Sequence, residues 1–271
     1  MNLLILGARR LGLELDPEKL RAFEVYYHEL RKWNRKANLT SLIAPNEVQV
    51  KHFLDSLTIY EIPEFREAVS SGRKINFVDV GTGGGFPGIP IKIVTPGINL
   101  VLVDSSRKKI QFLEHLKEAL GLEGVEIIWG RAEEIARQEN HRERYDWVVA
   151  RALAEFPTLA EYLLPFCRIG GYVVAYKGPK IFQELEISLE AINLLGGKVV
   201  RLHSVQTQGL ESSRYLLLIA KESSTPLLYP RRPGIPAKRP LKVSKEKGPV
   251  AGGASGLSVI DSIKIDGEEW A

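Results

Sequence analysis

A chain of 271 residues, 44% of them hydrophobic, supports one full-sized α/β domain with modest additions rather than two large independent ones. Lys and Arg outnumber Asp and Glu by 37 to 33, and the single cysteine, Cys167, excludes an intrachain disulfide, a Cys-rich metal cluster and a catalytic cysteine pair. The net charge of +4 is compatible with an anionic partner without requiring one.

The opening MNLLILGARRLGLEL is broken by Arg9 and Arg10 after a short apolar run. No stretch approaches the roughly 20 apolar residues of a membrane helix, so the chain reads as cytoplasmic and without a membrane partner. From Asp16 to Asn38 the pattern predicts an amphipathic helix: Asp16 suits the N-cap, Pro17 the first helical position, and Leu20, Phe23, Tyr27, Leu30 and Trp33 fall at helical spacing. A second helix is predicted from Asn46 to Tyr60, with Val50, Phe53, Leu54 and Leu57 inward. Residues 1–74 are therefore read as an N-terminal helical cap.

From Ile75 the pattern changes to apolar strands alternating with helices, which predicts a parallel sheet covered on both faces. The strands are INFVDV, NLVLVD, VEIIWG, YDWVVA and GGYVVAYKG; the helices are Pro87–Thr95, Ser106–Leu120, Arg131–Glu139, Phe156–Cys167 and Ile181–Leu195. KVVRLHSVQT and RYLLLIAKE then follow with only Gln208–Ser213 between them, too short for a helix, so an antiparallel hairpin closes the sheet. A parallel sheet ending in a hairpin is the seven-stranded, Rossmann-like arrangement of class I S-adenosylmethionine-dependent methyltransferases, expected over residues 75–222. Residues 223–271 read as a basic arm and a flexible tail. Between Ser223 and Val250, Arg231, Arg232, Lys238, Arg239, Lys242, Lys245 and Lys247 oppose Glu246 alone, a footprint suited to phosphate backbones, with Arg231 and Arg232 as candidate RNA contacts. Val259–Ala271 is acidic, carries Trp270 and offers no functional signal.

The residues Asp79-Val80-Gly81-Thr82-Gly83-Gly84-Gly85-Phe86-Pro87-Gly88 follow the first strand and open a helix. Glycines let backbone approach a ligand there, so Gly81 and Gly83 are candidate cofactor contacts. Gly83, Gly85 and Gly88 also satisfy the formal dinucleotide pattern G-x-G-x-x-G. Asp79, two positions before the first glycine, and the proline in the turn favour S-adenosylmethionine. Asp104 ends the second strand, where a carboxylate accepts hydrogen bonds from ribose hydroxyls; the bland alternative is a cap for the next helix, entered by Ser105 and Ser106. Glu133, in Gly130-Arg131-Ala132-Glu133 at the end of the third strand, is placed to flank adenine or else complements a helix dipole.

The fourth strand ends in Ala150-Arg151-Ala152. It lacks both the Asn/Asp-Pro-Pro-aromatic motif of amine methylation and the cysteine nucleophile of pyrimidine C5 methylation. What remains is transfer to an acceptor that owns a lone pair, such as guanine N7, without a general base. Arg151 is a candidate catalytic residue at this strand end, with a salt bridge to a nearby helix as its structural alternative. Lys177, ending the fifth strand, is the second candidate catalytic residue, placed for phosphate or guanine O6, with a snorkelling surface lysine as its structural alternative. His52 and Asp55, three apart on a helix, read most simply as a structural hydrogen-bonded pair. No metal-ligand spacing occurs, and no metal is expected.

Asn38-Leu39-Thr40, His52 through Leu57, Asp79 through Pro90, Arg131-Ala132-Glu133-Glu134, Arg151-Ala152, Lys177-Gly178, Ser213-Arg214 and Tyr229 through Gly234 together resemble the bacterial ribosomal RNA small-subunit methyltransferase G family (RsmG, also called glucose-inhibited division protein B). The resemblance runs from about Phe23 to Leu241, and the tail beyond looks longer than the family's. It implies methylation of N7 of the guanine at position 527 of 16S ribosomal RNA, free or in the small-subunit particle, by a protein expected to be a monomer. It implies cofactor contacts at Gly81, Phe86, Asp104, Ser105, Ser106, Ala132, Glu133 and Arg151. Arg131, Lys177 and Arg214 would lie near the substrate RNA. A nicotinamide-dependent oxidoreductase would explain only the formal glycine pattern, and a non-enzymatic RNA-binding module only the charge.

Overall fold

A computed structural model describes residues 1–206 and 214–241, together with the backbone of Lys264–Asp266. The described residues form two compact units: 1–132 with 149–151 and 206 in the first, and 133–148, 152–205 and 214–241 in the second.

The first unit opens with α1 (Asn2–Arg10) and α2 (Pro17–Ala37). As expected, Asp16 caps α2, its side chain accepting from the Lys19 backbone N–H, and Pro17 begins the helix; Asn38 ends it in the left-handed region at φ 47°. The buried face is Phe23, Tyr26, Tyr27 and Leu30, so Tyr26 is inward where the spacing had favoured Leu20 and Trp33. The helix predicted over 46–60 is present but uneven. It comprises α3 (Pro45–Glu47), a π-helical stretch (Val48–Leu54), α4 (Asp55–Leu57) and a 3₁₀ turn (Thr58–Glu61). The π stretch widens the helix and alters which side chains and carbonyls face inward, a distortion frequent at functional sites.

After α5 (Pro63–Ser70), β1 (Asn76–Val80), α6 (Gly88–Val94), β2 (Asn99–Asp104), α7 (Arg107–Ala119) and β3 (Val125–Trp129) follow in alternation. β1 and β3 each pair with β2 in parallel, with Asp79 beside Leu102 and Asp104 beside Trp129. α2 packs on α6 and α7, so the predicted cap belongs to the same compact unit as β1–β3.

The third predicted helix is reduced to α8 (Ala132–Ile135). β4 (Tyr145–Arg151), α9 (Phe156–Leu163) and β5 (Cys167–Lys177) follow. The next predicted helix is split into α10 (Ile181–Glu186) and α11 (Leu189–Leu194), because the buried Ser188 turns its hydroxyl onto the Glu184 carbonyl. β6 (Gly197–Ser204) and β7 (Tyr215–Lys221) form the predicted antiparallel pair, and β7 also runs antiparallel to β5. The hairpin loop Gln208–Ser213 lies outside the described residues. The strand order is β3-β2-β1-β4-β5-β7-β6-β8, where β8 (Lys264–Asp266) runs parallel to β6. Among the described residues no helix is long and apolar enough to cross a membrane.

The expected free arm is corrected over 223–241. The Arg142 guanidinium donates to the carbonyls of Thr225 and Tyr229, Arg137 to those of Leu228 and Pro230, and Thr158 to that of Pro236 near α12 (Ile235–Lys238). Lys242, Lys245 and Lys247 lie outside the described residues, as does the acidic end with Trp270 apart from the backbone of Lys264–Asp266.

Candidate active site

In the first unit the turn after β1 is folded by its own backbone and two carboxylates. Gly81 and Thr82 donate their N–H groups to the Val103 carbonyl, at 2.8 and 3.1 Å. Asp79 is fully buried; its Oδ2 accepts from the Thr82 hydroxyl at 2.6 Å and the Gly88 N–H at 2.8 Å, while Oδ1 has no protein partner. Burial pushes its carboxyl up to about 7, against the hydrogen bonds from Thr82 and Gly88 and the Arg151 charge. The turn needs glycine in two ways. At Gly85, φ is 94° and a Cβ would come within 2.7 Å of Ile89 and of the Tyr26 hydroxyl. At Gly83, φ is 63° and a Cβ would meet nothing closer than 3.9 Å, so this stretch of backbone faces open space.

Asp104 lies across that space, with Oδ2 accepting from the Gly83 N–H at 2.9 Å and Oδ1 from the Ser106 N–H at 2.9 Å. Ser106 is the N-cap of α7, so the capping alternative for Asp104 holds in part. Each carboxylate oxygen still has acceptor capacity for a second donor. An open glycine face, the acceptor capacity left on Asp104 beside Lys109, 3.6 Å from Oδ2, and the unpartnered buried oxygen of Asp79 fit a ligand with hydroxyls and positive charge, as S-adenosylmethionine has.

The cap supplies the other wall. Tyr26 donates its hydroxyl to the Gly84 carbonyl at 2.5 Å and stacks on Phe86, centroids 5.2 Å apart. His52 also stacks on Phe86, at 4.6 Å, and the Arg151 guanidinium sits 5.0 Å from the same ring centre. Arg151 donates to Asp55 Oδ2 at 2.7 Å and to the carbonyls of Lys51 and His52 on the π stretch. Its other terminal nitrogen meets His52 Nδ1 at 3.3 Å. A guanidinium only donates, so Nδ1 accepts and the ring proton sits on Nε2, which donates to Thr40 Oγ1 at 2.7 Å. Asn34 fixes Thr40 by bonding both its N–H and its carbonyl. Burial, and then the Arg151 charge, push His52 down to about 3, so the imidazole is neutral. Two expectations change here. His52 and Asp55 bind Arg151 rather than serving as a simple mutual pair, and Arg151 makes the helix salt bridge that stood as its structural alternative.

Of the remaining candidates in this unit, Ser105 and Arg131 are exposed and Ala132 is half-buried. Sequence reasoning missed Tyr26 and Thr40 as parts of the site; the adjacent tyrosines of α2, one helical turn after Phe23, and the Asn38-Leu39-Thr40 motif were the available signals.

In the second unit Lys177 is paired with Glu184 at 2.5 Å and donates to the Ala154 carbonyl at 3.0 Å. Glu184 also accepts from the Phe156 N–H, so Lys177 is neither snorkelling nor open to a ligand in this state. Glu133 is buried and accepts from the Gly234 N–H at 2.9 Å. Arg231, read as an RNA contact, is committed to the fully buried Glu161 through its backbone N–H, Nε and a terminal nitrogen. Its pKa is raised by that bond, and its charge neutralises a buried carboxylate rather than facing solvent. Arg232 is exposed and Arg214 half-buried.

The fold and this turn define a class I S-adenosylmethionine-dependent methyltransferase. A solved structure from Listeria monocytogenes assigned to that class matches with TM-score 0.52 at 10% identity, covering 74% of this chain and 69% of the other. Residues 19–215 match the family model described as rRNA small subunit methyltransferase G. Ribosomal RNA small subunit methyltransferase G of Alkaliphilus metalliredigens is 43% identical over 236 residues, 87% of this chain and 96% of the relative. The one from Dehalococcoides mccartyi strain BAV1 is 44% identical over 241 residues, 89% of this chain and all of the relative. The chain belongs to the rRNA small subunit methyltransferase G family.

Proposed function

We propose that the protein transfers a methyl group from S-adenosylmethionine to N7 of a guanine in 16S ribosomal RNA, at the position the family resemblance gives as 527, by direct in-line transfer without a general base. The observation that carries this reading is the state of His52. It is the imidazole beside Arg151, both its nitrogens are engaged, and its pKa of about 3 leaves it no tendency to take a proton at neutral pH. Cys167 is equally unsuited to covalent catalysis, since burial holds its thiol at about 12. An acceptor with its own lone pair needs neither.

S-adenosylmethionine, when bound, supplies an electrophilic methyl group on a sulfonium. Gly81 and Gly83 would hold it through their backbone, Asp104 through its spare acceptor capacity, and Phe86, Ser105, Ser106, Ala132, Glu133 and Arg151 as further contacts. Arg151, fixed on three sides by Asp55, His52 and backbone carbonyls, orients the Phe86 wall and presents charge at the β4 end. Arg131, Arg214 and Arg232 are assigned to RNA, and Lys177 joins them only on leaving Glu184; Arg231 stays on the buried Glu161. The substrate is 16S RNA, free or in the small-subunit particle, and the protein acts as a cytoplasmic monomer. Incubation with small-subunit RNA, naked and in particles, followed by mapping of the modified base, tests the reading. A methyl group on an exocyclic amine or a pyrimidine carbon would refute it.

A further inference from the structure

Trp129 ends the edge strand β3 with 50% of its surface exposed, while most large apolar side chains of the first unit are buried. It is held in one orientation. Its Nε1–H donates to the Ser105 carbonyl at 3.0 Å, and the Arg107 guanidinium lies 4.1 Å from the ring centre. Arg107 is exposed and its guanidinium makes no hydrogen bond or ion pair among the described residues, and the same is true of the guanidinium of Arg131, two residues beyond the indole. Lys109, on the same helix as Arg107, is by contrast paired with Asp104, and Arg151 with Asp55. An exposed indole gains little from burial, yet two contacts fix it, and the two neighbouring guanidiniums keep their donors available.

Placement adds to this. Trp129 is the in-register neighbour of Asp104, one strand spacing of about 4.8 Å away, and its partner Ser105 directly follows Asp104. Whatever rests on the indole therefore lies beside the candidate cofactor carboxylate. Flat aromatic and guanidinium surfaces with unpaired donors match the two parts of an unstacked nucleotide, its base and its phosphates.

We propose that Trp129 and Arg107 form a stacking platform for an unpaired nucleotide of the substrate RNA, with Arg107 and Arg131 taking the phosphates that flank it. This rests on the reading of the protein as an RNA methyltransferase. A base stacks on the exposed part of the indole or on the guanidinium that extends it, which favours single strands over duplexes, whose bases are already stacked.

The test uses the full chain and three variants, Trp129→Ala, Trp129→Phe and Arg107→Gln. The probes are naked 16S RNA and a single-stranded oligoribonucleotide, alone and annealed to its complement. Trp129→Ala is expected to raise the Kd for the single strand about five- to tenfold, Trp129→Phe to recover most of the loss, and duplex affinity to stay level. Arg107→Gln is expected to lower the salt slope of RNA binding by about one. S-adenosylmethionine affinity, read by calorimetry, should change less than twofold. Unchanged single-strand affinity in Trp129→Ala overturns the proposal, as does loss of cofactor affinity with RNA affinity intact, which would make the indole a cofactor wall. If the wild type methylates RNA while Trp129→Ala binds it normally, the platform alone fails; if the wild type neither binds nor methylates RNA, both readings fail.

Discussion

His52 and Asp79 are two buried groups with shifts of opposite consequence, and Asp79→Asn separates them. In the unfolded chain His52 takes up its proton near its ordinary 6.5, but in the folded protein only near 3. Between those values the unfolded state holds the extra proton, so stability falls as pH falls, by about 1.4 kcal/mol per pH unit. Asp79 takes up its proton near 7 when folded and near its ordinary 3.8 when unfolded. Here the folded state holds the extra proton, and stability rises as pH falls through the same interval. From about 6.5 down to 3.8 the two contributions oppose each other and nearly cancel. Asparagine keeps an acceptor for Thr82 and Gly88 but cannot titrate, so it exposes the His52 slope. Relative to wild type, Asp79→Asn should lose roughly 3–4 kcal/mol across that window. His52→Gln should gain a similar amount, and the double variant should run parallel to wild type. Urea unfolding at half-unit pH steps in the absence of cofactor measures this. Parallel curves for wild type and Asp79→Asn would refute the assignment of a raised pKa to Asp79.

Asp104→Ala should weaken S-adenosylmethionine binding by about tenfold or more in calorimetry, from loss of a charged acceptor; unchanged affinity in the folded variant would remove Asp104 from the site. Single-turnover methyl transfer should be flat from about pH 6 to 9, where a tuned base would titrate, with RNA and cofactor saturating so that the titration of Asp79 near 7 acts on cofactor binding and not on the rate read. A limb rising tenfold per pH unit would show proton abstraction and exclude N7. Arg231→Ala strands the buried Glu161 and should cost about 3–5 kcal/mol of stability in urea titration. For the same reason truncation after Ser224 should destabilise the second unit, not merely weaken RNA binding; a truncated chain with unchanged unfolding midpoint would contradict this.

The order of strands and helices, the closing hairpin, the capped α2, the glycine turn and Asp104 were legible in the sequence because each is a local matter. Period and turn chemistry are set by a few neighbouring residues, and a strand end at a known step of a βα alternation fixes which residues face the ligand edge. The family resemblance was legible for the same reason, as a string of short ordered motifs. What the cations do was not. Arg151 meets Asp55 across 96 residues and Arg231 meets Glu161 across 70, and nothing in the spacing of either pair says that they approach. The sequence identifies a charge but not its partner, and a basic segment reads as an arm for phosphate until a buried glutamate is found beneath it. Tyr26 shows the same limit in the core. The apolar spacing of α2 did not include it, and only the approach of the helix to the glycine turn gives its hydroxyl the Gly84 carbonyl and its ring the face of Phe86. Pairings between distant segments are decided by packing, because desolvation makes an unpaired buried charge or hydroxyl costly and leaves few arrangements that satisfy all of them at once.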